Sequence, residues 1–183
     1  MSMQGDHHTS PDDLDRRRFL KGSALLSTSM FIVGTALIHP GEGWAVEATG
    51  LKPATMQTLI KMARDIYPHD QIADKYYAIA VKGYDQKATQ SSDIKTLIEK
   101  GVAQVDQIAK ERHNRVYTAI IDESPRVEIL HVVEGGPLFT MLRAGLIVDL
   151  YNQKELWPLF GYEGESASKG GYIRRGFNDL AWL

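Results

Sequence analysis

The sequence predicts an all-α domain on three grounds. Apolar residues recur at spacings of three and four through most of the chain between residues 54 and 151. Runs that alternate apolar and polar residues between turn dipeptides, the mark of half-buried strands, are missing apart from short ambiguous stretches near Val132. Cysteine is absent from all 183 residues, so packing, or a partner that supplies buried area, must do what disulfides do in many small exported domains.

The first segment reads as an address. Arg16 and Arg17, a spacer, then Phe19, Leu20 and Lys21 stand directly ahead of an apolar run from Gly22 to Ile38. This resembles a twin-arginine secretion signal, with Asp15 where Ser or Thr is usual. The run is broken by Ser, Thr and Gly and is short for a bilayer span, so residues 1–45 are expected to be removed rather than kept as an anchor. Gly43-Trp44-Ala45 and Val46-Glu47-Ala48 offer small-residue cleavage patterns, and a cut after Ala45 leaves residues 46–183 as the working domain.

Within that domain, Met56, Leu59, Ile60, Ala63, Ile66 and Tyr67 define an amphipathic helix over 54–67, stopped by Pro68. Ile72, Tyr76, Ile79 and Ala80 predict a second helix from Gln71 to Lys82, ended by Gly83, with Tyr84 to Ser92 as a polar loop. Ile94, Leu97, Ile98, Val102, Val105, Ile108 and Ala109 give the longest stripe, a helix over 93–112 with Ser92 as its cap. Asn114 can cap a short turn through Val116 to Ile121, and Ser124-Pro125 reads as an N-cap followed by Pro at the first helical position. After Gly135-Gly136 a strongly apolar helix runs from Leu138 to Tyr151. Beyond Asn152 periodicity is lost in an aromatic, Gly-rich tail.

Function classes fall away quickly. A formal charge of -2 argues against a nucleic-acid partner, whose phosphates need a Lys/Arg excess. Without cysteine there is no thiolate metal site, Fe–S cluster, covalent haem or Cys nucleophile, and no GxGxxG, P-loop or HExxH motif is present. His69, His113 and His131 are far apart and lack metal-ligand spacing, so they read as solvated side chains. Asp65, Asp70, Asp74, Asp122, Glu123 and Glu134 read as charged helix faces, whereas Asp149, within the apolar helix near Arg143, reads as a salt-bridged or interface group. No catalytic, cofactor-binding or metal-ligating residue is assigned. The twin-arginine route carries folded proteins and is used where a cofactor must be inserted first. A chain with no cofactor motif on that route points to a second, folded passenger.

The tail names a candidate passenger. Tyr151 and Trp157, then Gly161-Tyr162-Glu163-Gly164, then Gly170-Gly171-Tyr172 and a terminal Trp182-Leu183 resemble the gluconate 2-dehydrogenase subunit 3 family. The resemblance covers about residues 137–183 and is only general in shape before that. It implies a non-catalytic small subunit beside a GMC-type FAD-binding sugar or alcohol dehydrogenase, often with a multihaem cytochrome c. The location would be the periplasmic side of the inner membrane. FAD would lie in the partner and haem c in a third subunit. Such flavoproteins usually lack their own signal, so this chain would carry the partner through the twin-arginine translocase. The expected interface residues are Tyr151, Trp157, Tyr162, Gly164, Gly170, Gly171, Tyr172 and Trp182. The alternative is a free-standing periplasmic enzyme or small-ligand binder using the same aromatics as a platform.

Overall fold

The computed structural model describes residues 30–171 and 173. A three-stranded antiparallel sheet, β1 (Phe31–Val33), β2 (Ala36–His39) and β3 (Trp44–Glu47), precedes the helices α1 (Pro53–Ile66), α2 (Asp74–Gln90), α3 (Ser92–His113), α4 (Glu123–Val133) and α5 (Pro137–Asp149). Short 3-10 turns occupy Tyr117–Ala119, Lys154–Phe160 and Ser166–Lys169. The fold is mostly helical, as the periodicity requires. The sheet corrects the expectation that strands are absent, and the ambiguous stretch near Val132 is helix α4.

Helix boundaries follow from how each end finds partners for its free N–H and C=O groups. Helix α1 starts with Pro53, whose fixed φ suits the first turn, and ends where Tyr67 meets Pro68. The Glu99 carboxylate of α3 accepts hydrogen bonds from Lys52 N (3.0 Å) and Thr55 Oγ1 (2.8 Å), supplying the cap that Lys52 cannot. Helix α3 is capped by Ser91, one residue before the expected Ser92: its Oγ accepts from Ile94 N at 3.3 Å. Asn114 ends that helix in the left-handed region (φ 53°) instead of starting the next turn. Asp122, not Ser124, is the N-cap residue of α4.

The loop expected from Tyr84 to Ser92 is helix. Tyr77, Val81, Tyr84 and Ala88 are all buried and continue the stripe past Gly83. Burying them outweighs the roughly 1 kcal/mol that an internal glycine costs relative to alanine. Gly145 makes this packing possible from the other side, because a Cβ there would collide with the Tyr84 hydroxyl. Tyr84 in turn donates to Met141 O at 3.3 Å, locking α5 onto α2. Burial raises its pKa to about 12, helped by the nearby Asp149 charge. Asp149 itself makes no ion pair with Arg143 among the described residues.

Two buried carboxylates, neither recognised in the sequence as buried, tie the core together. Asp65 on α1 takes a bidentate bond from Arg126 on α4 (Nε and Nη2, both 2.8 Å) and a third from Tyr117 Oη at 2.6 Å. Arg126 Nη1 spends its remaining donors on Ile120 O and Ile121 O. All three side chains are at least nine-tenths buried, so every polar atom in this knot needs its partner. Burial, with Asp65's charge beside it, pushes the Tyr117 hydroxyl far above its ordinary pKa. Asp85 on α2 accepts from Thr49 N, Thr49 Oγ1, Gly50 N and Leu51 N at 2.8–3.1 Å, fastening the β3–α1 connection. Burial alone would raise its pKa; the donors prevail and hold the carboxyl below its ordinary value.

Candidate interaction surface

The end of α5 and the turn after it gather the exposed aromatic groups. Tyr151 sits at the centre: its ring meets Tyr67 (5.9 Å), His69 (5.6 Å) and Phe160 (5.4 Å) edge to face. Its hydroxyl lies 2.6 Å from His69 Nε2, and its carbonyl accepts the Trp157 indole N–H at 3.1 Å. Partial burial and the neighbouring Tyr67 raise the Tyr151 pKa. Trp157 then meets Tyr162 edge to face at 5.1 Å, with Lys154 Nζ 5.4 Å above the indole.

Local sequence explains this shape. Helix α5 gives out at Asp149, and Gln153 Nε2 bridges back to Asp149 O and Tyr76 O, turning the chain over α2. Pro158 inside the following turn precludes a regular α-helix, and Leu156 anchors the turn by full burial. Gly161 closes it in the left-handed region (φ 69°), where a side chain would be strained, and Tyr162 N donates to Trp157 O at 3.0 Å.

One flank of this cluster stays open. Ile147 (57%), Val148 (60%), Leu159 (47%), Phe160 (45%) and Tyr162 (49%) are strongly exposed for apolar or aromatic residues. Ile147, Val148, Phe160 and Tyr162 line a groove of about 600 Å³ with Tyr151 and Trp157. A contiguous apolar face of this kind marks an interaction site more often than chance exposure does.

Of the residues singled out in the sequence, Tyr151, Trp157 and Tyr162 are thus brought together. Gly164 (φ 100°) lies against the Trp157 ring, and Gly170 and Gly171 (φ 84° and 77°) end the last 3-10 turn and do not line the groove. Tyr172 and Trp182, and the signal residues Arg16, Arg17, Phe19, Leu20 and Lys21, lie outside the described residues. Ala45 is exposed in β3. His69 is a correction: it is half-buried and bonded, not a solvated side chain. Its local sequence carries no sign of this bond, whose partners lie 82 residues apart. His113 is half-buried with Nε2 unpartnered, while His131 is exposed beside Glu134.

A second polar cluster, His39, Glu42 and Asp74, places side-chain nitrogen and oxygen atoms within 4.8 Å of one another. Its bonds explain its chemistry. His39 Nδ1 accepts from Glu42 N, so the ring proton sits on Nε2 and faces Asp74 Oδ2 at 3.8 Å. Glu42 accepts from Trp44 Nε1 and from the first N–H groups of α2, Asp74 N and Lys75 N. Partial burial works against its charge, but these three donors hold the Glu42 pKa below the usual value. Arg64 holds Asp74 Oδ1 at 3.0 Å. The cluster is a helix cap built from the strand side, with His39 Nδ1, both Glu42 oxygens and Asp74 Oδ1 facing protein donors. Beside it, a cavity of about 370 Å³ is lined by Lys61, Arg64 and Thr118 among others, and burial lowers the Lys61 pKa.

Among the described residues, no helix is long and apolar enough to cross a membrane. Comparison of the chain with protein-family models, curated proteins and solved structures finds no match.

Proposed function

We propose that the chain is the non-catalytic small subunit of a periplasmic, membrane-associated FAD-dependent dehydrogenase of the gluconate 2-dehydrogenase type. It carries its flavoprotein partner through the twin-arginine translocase and stays bound to it. The observation that supports this most is the open aromatic face at residues 147–162, which has the Tyr and Trp content favoured at protein interfaces. The face belongs largely to the segment that carries the family resemblance. FAD belongs to the partner in this reading, and the small subunit supplies the export signal and a binding surface.

Coexpression with a GMC-type flavoprotein from the same genome tests the proposal. Flavin absorbance and dehydrogenase activity should reach the periplasm only with both chains present, and should copurify with this one. Replacing Arg16 and Arg17 together by Lys should keep both proteins in the cytoplasm, because the translocase reads the guanidinium pair and not charge alone. A flavin or haem chromophore on the chain purified alone, or unimpaired export of the double-Lys variant, would overturn the reading.

A further inference from the structure

Residues 31–47 belong by sequence to the end of a signal and by structure to the folded body. Leu37 is fully buried and His39 nearly so. The strands β2 and β3 pair Ile38 with Ala45 and Leu37 with Val46, so the bond after Ala45 lies inside a hydrogen-bonded ladder. The second small-residue pattern is no freer: Ala48 is buried and its N–H donates to Thr35 O at 2.9 Å. The helices hold the sheet from their side as well. Gln57 Nε2 of α1 donates to Met30 O at 3.1 Å, and Lys82 Nζ of α2 to Glu47 O at 2.8 Å. Glu42, in the β2–β3 turn, caps α2 through Asp74 N and Lys75 N.

We infer that the β1–β3 sheet is a permanent part of the mature subunit, and that any processing bond lies on the N-terminal side of Phe31 rather than after Ala45 or Ala48. The inference rests on the reading of this chain as a twin-arginine passenger, which is folded before it meets a signal peptidase. A peptidase must take its substrate as an accessible extended strand, and β3 is already paired along its length with β2, which takes up every other backbone group. Cutting after Ala45 would require β3 to be peeled away. It would also detach Leu37 from the core and leave the first N–H groups of α2 without the Glu42 acceptor.

The deciding measurement is the N-terminal sequence and intact mass of the protein recovered from the periplasm after expression of the full-length chain. An N-terminus at or before Phe31 is expected, an uncut chain included. An N-terminus at Val46 or Thr49 would overturn the inference. If the chain is not exported at all, the twin-arginine reading has failed, and hydrogen exchange on the full-length protein then decides whether the sheet belongs to the fold. Amides in residues 36–39 and those of Val46 and Ala48, which face β2, should exchange as slowly as those of α2. Exchange there at the rate of a free peptide would refute it.

Discussion

Tyr117 and Tyr162 mark two opposite uses of the same side chain. Tyr117 is fully buried, its hydroxyl spent on Asp65, which Arg126 grips with two further bonds. Tyr162 is half exposed, its ring meeting that of Trp157 by an edge, at the lip of an open groove. In the first region the side chains are buried and their polar atoms are matched, so substitutions there act on folding. In the second, the rings hold one another in place while keeping a free flank, so substitutions there act on what docks.

The sharpest way to break the contrast is to remove Asp65. Asp65→Ala leaves the Arg126 guanidinium buried without its counter-charge and should cost about 3 to 5 kcal/mol in denaturant unfolding. A loss below 1 kcal/mol would show that the knot is far wetter than its burial implies.

Asp85→Asn should cost about 2 kcal/mol at neutral pH, because an amide cannot replace a carboxylate that accepts from several donors at once. Its pH signature is distinctive. The folded-state pKa of Asp85 is depressed, so its stabilisation is complete above the unfolded value near 3.8 and is lost as pH falls through the folded one. The variant should therefore show a flatter acid limb than the parent in stability measured from pH 6 down to about pH 2.

Gly145→Ala drives a methyl into the Tyr84 hydroxyl and should cost about 1 to 3 kcal/mol, with α5 shifting on α2. Because α5 carries the open face, this variant should weaken partner binding as well as folding. It is the one substitution expected to move both readouts.

At the face itself, Tyr162→Ala should change folding stability by less than about 1 kcal/mol yet weaken partner capture by about 1 to 4 kcal/mol, about fivefold or more in affinity. Thermal melting compared with pull-down of the flavoprotein separates the two. A mutant chain that unfolds without a specific loss of binding would place Tyr162 in the core class with Tyr117.

How far the sequence announces all this depends on the period of each signal. The α3 stripe, from Ile94 to Ala109, is legible because its apolar residues repeat through more than four turns at about 3.6 residues each. Asp65 is hidden because charge suggests solvent; yet it falls three residues after Met62, on the buried side of α1, and Arg126 stands three residues before Ile129 on α4. Opposite charges on two apolar faces are the signal that finds such a pair. The sheet is hidden for another reason. Its strands are three or four residues long, too short for alternation to register, and they lie in a run whose composition reads as a signal. The aromatic groups of the face are legible as a density of Tyr, Trp and Phe. His69, joining them from a distant turn, becomes visible only when the chain is folded.

The antiparallel hairpin at the start of the body has a mechanical consequence. Phe31 pairs with Ile38 at the open end of β1–β2, opposite the tight turn at Gly34. A pull on the chain ahead of Met30 therefore loads that hairpin at its open end, as a zipper is opened, so its rungs yield one after another instead of together. The β2–β3 ladder and the Glu42 cap come under tension only after β1 has come away, and the α1–α5 core later still. Tension applied from the N-terminal side would thus be spent on the Gln57–Met30 bond and three short rungs before it reached the helical core, much as a tear strip yields before the package does.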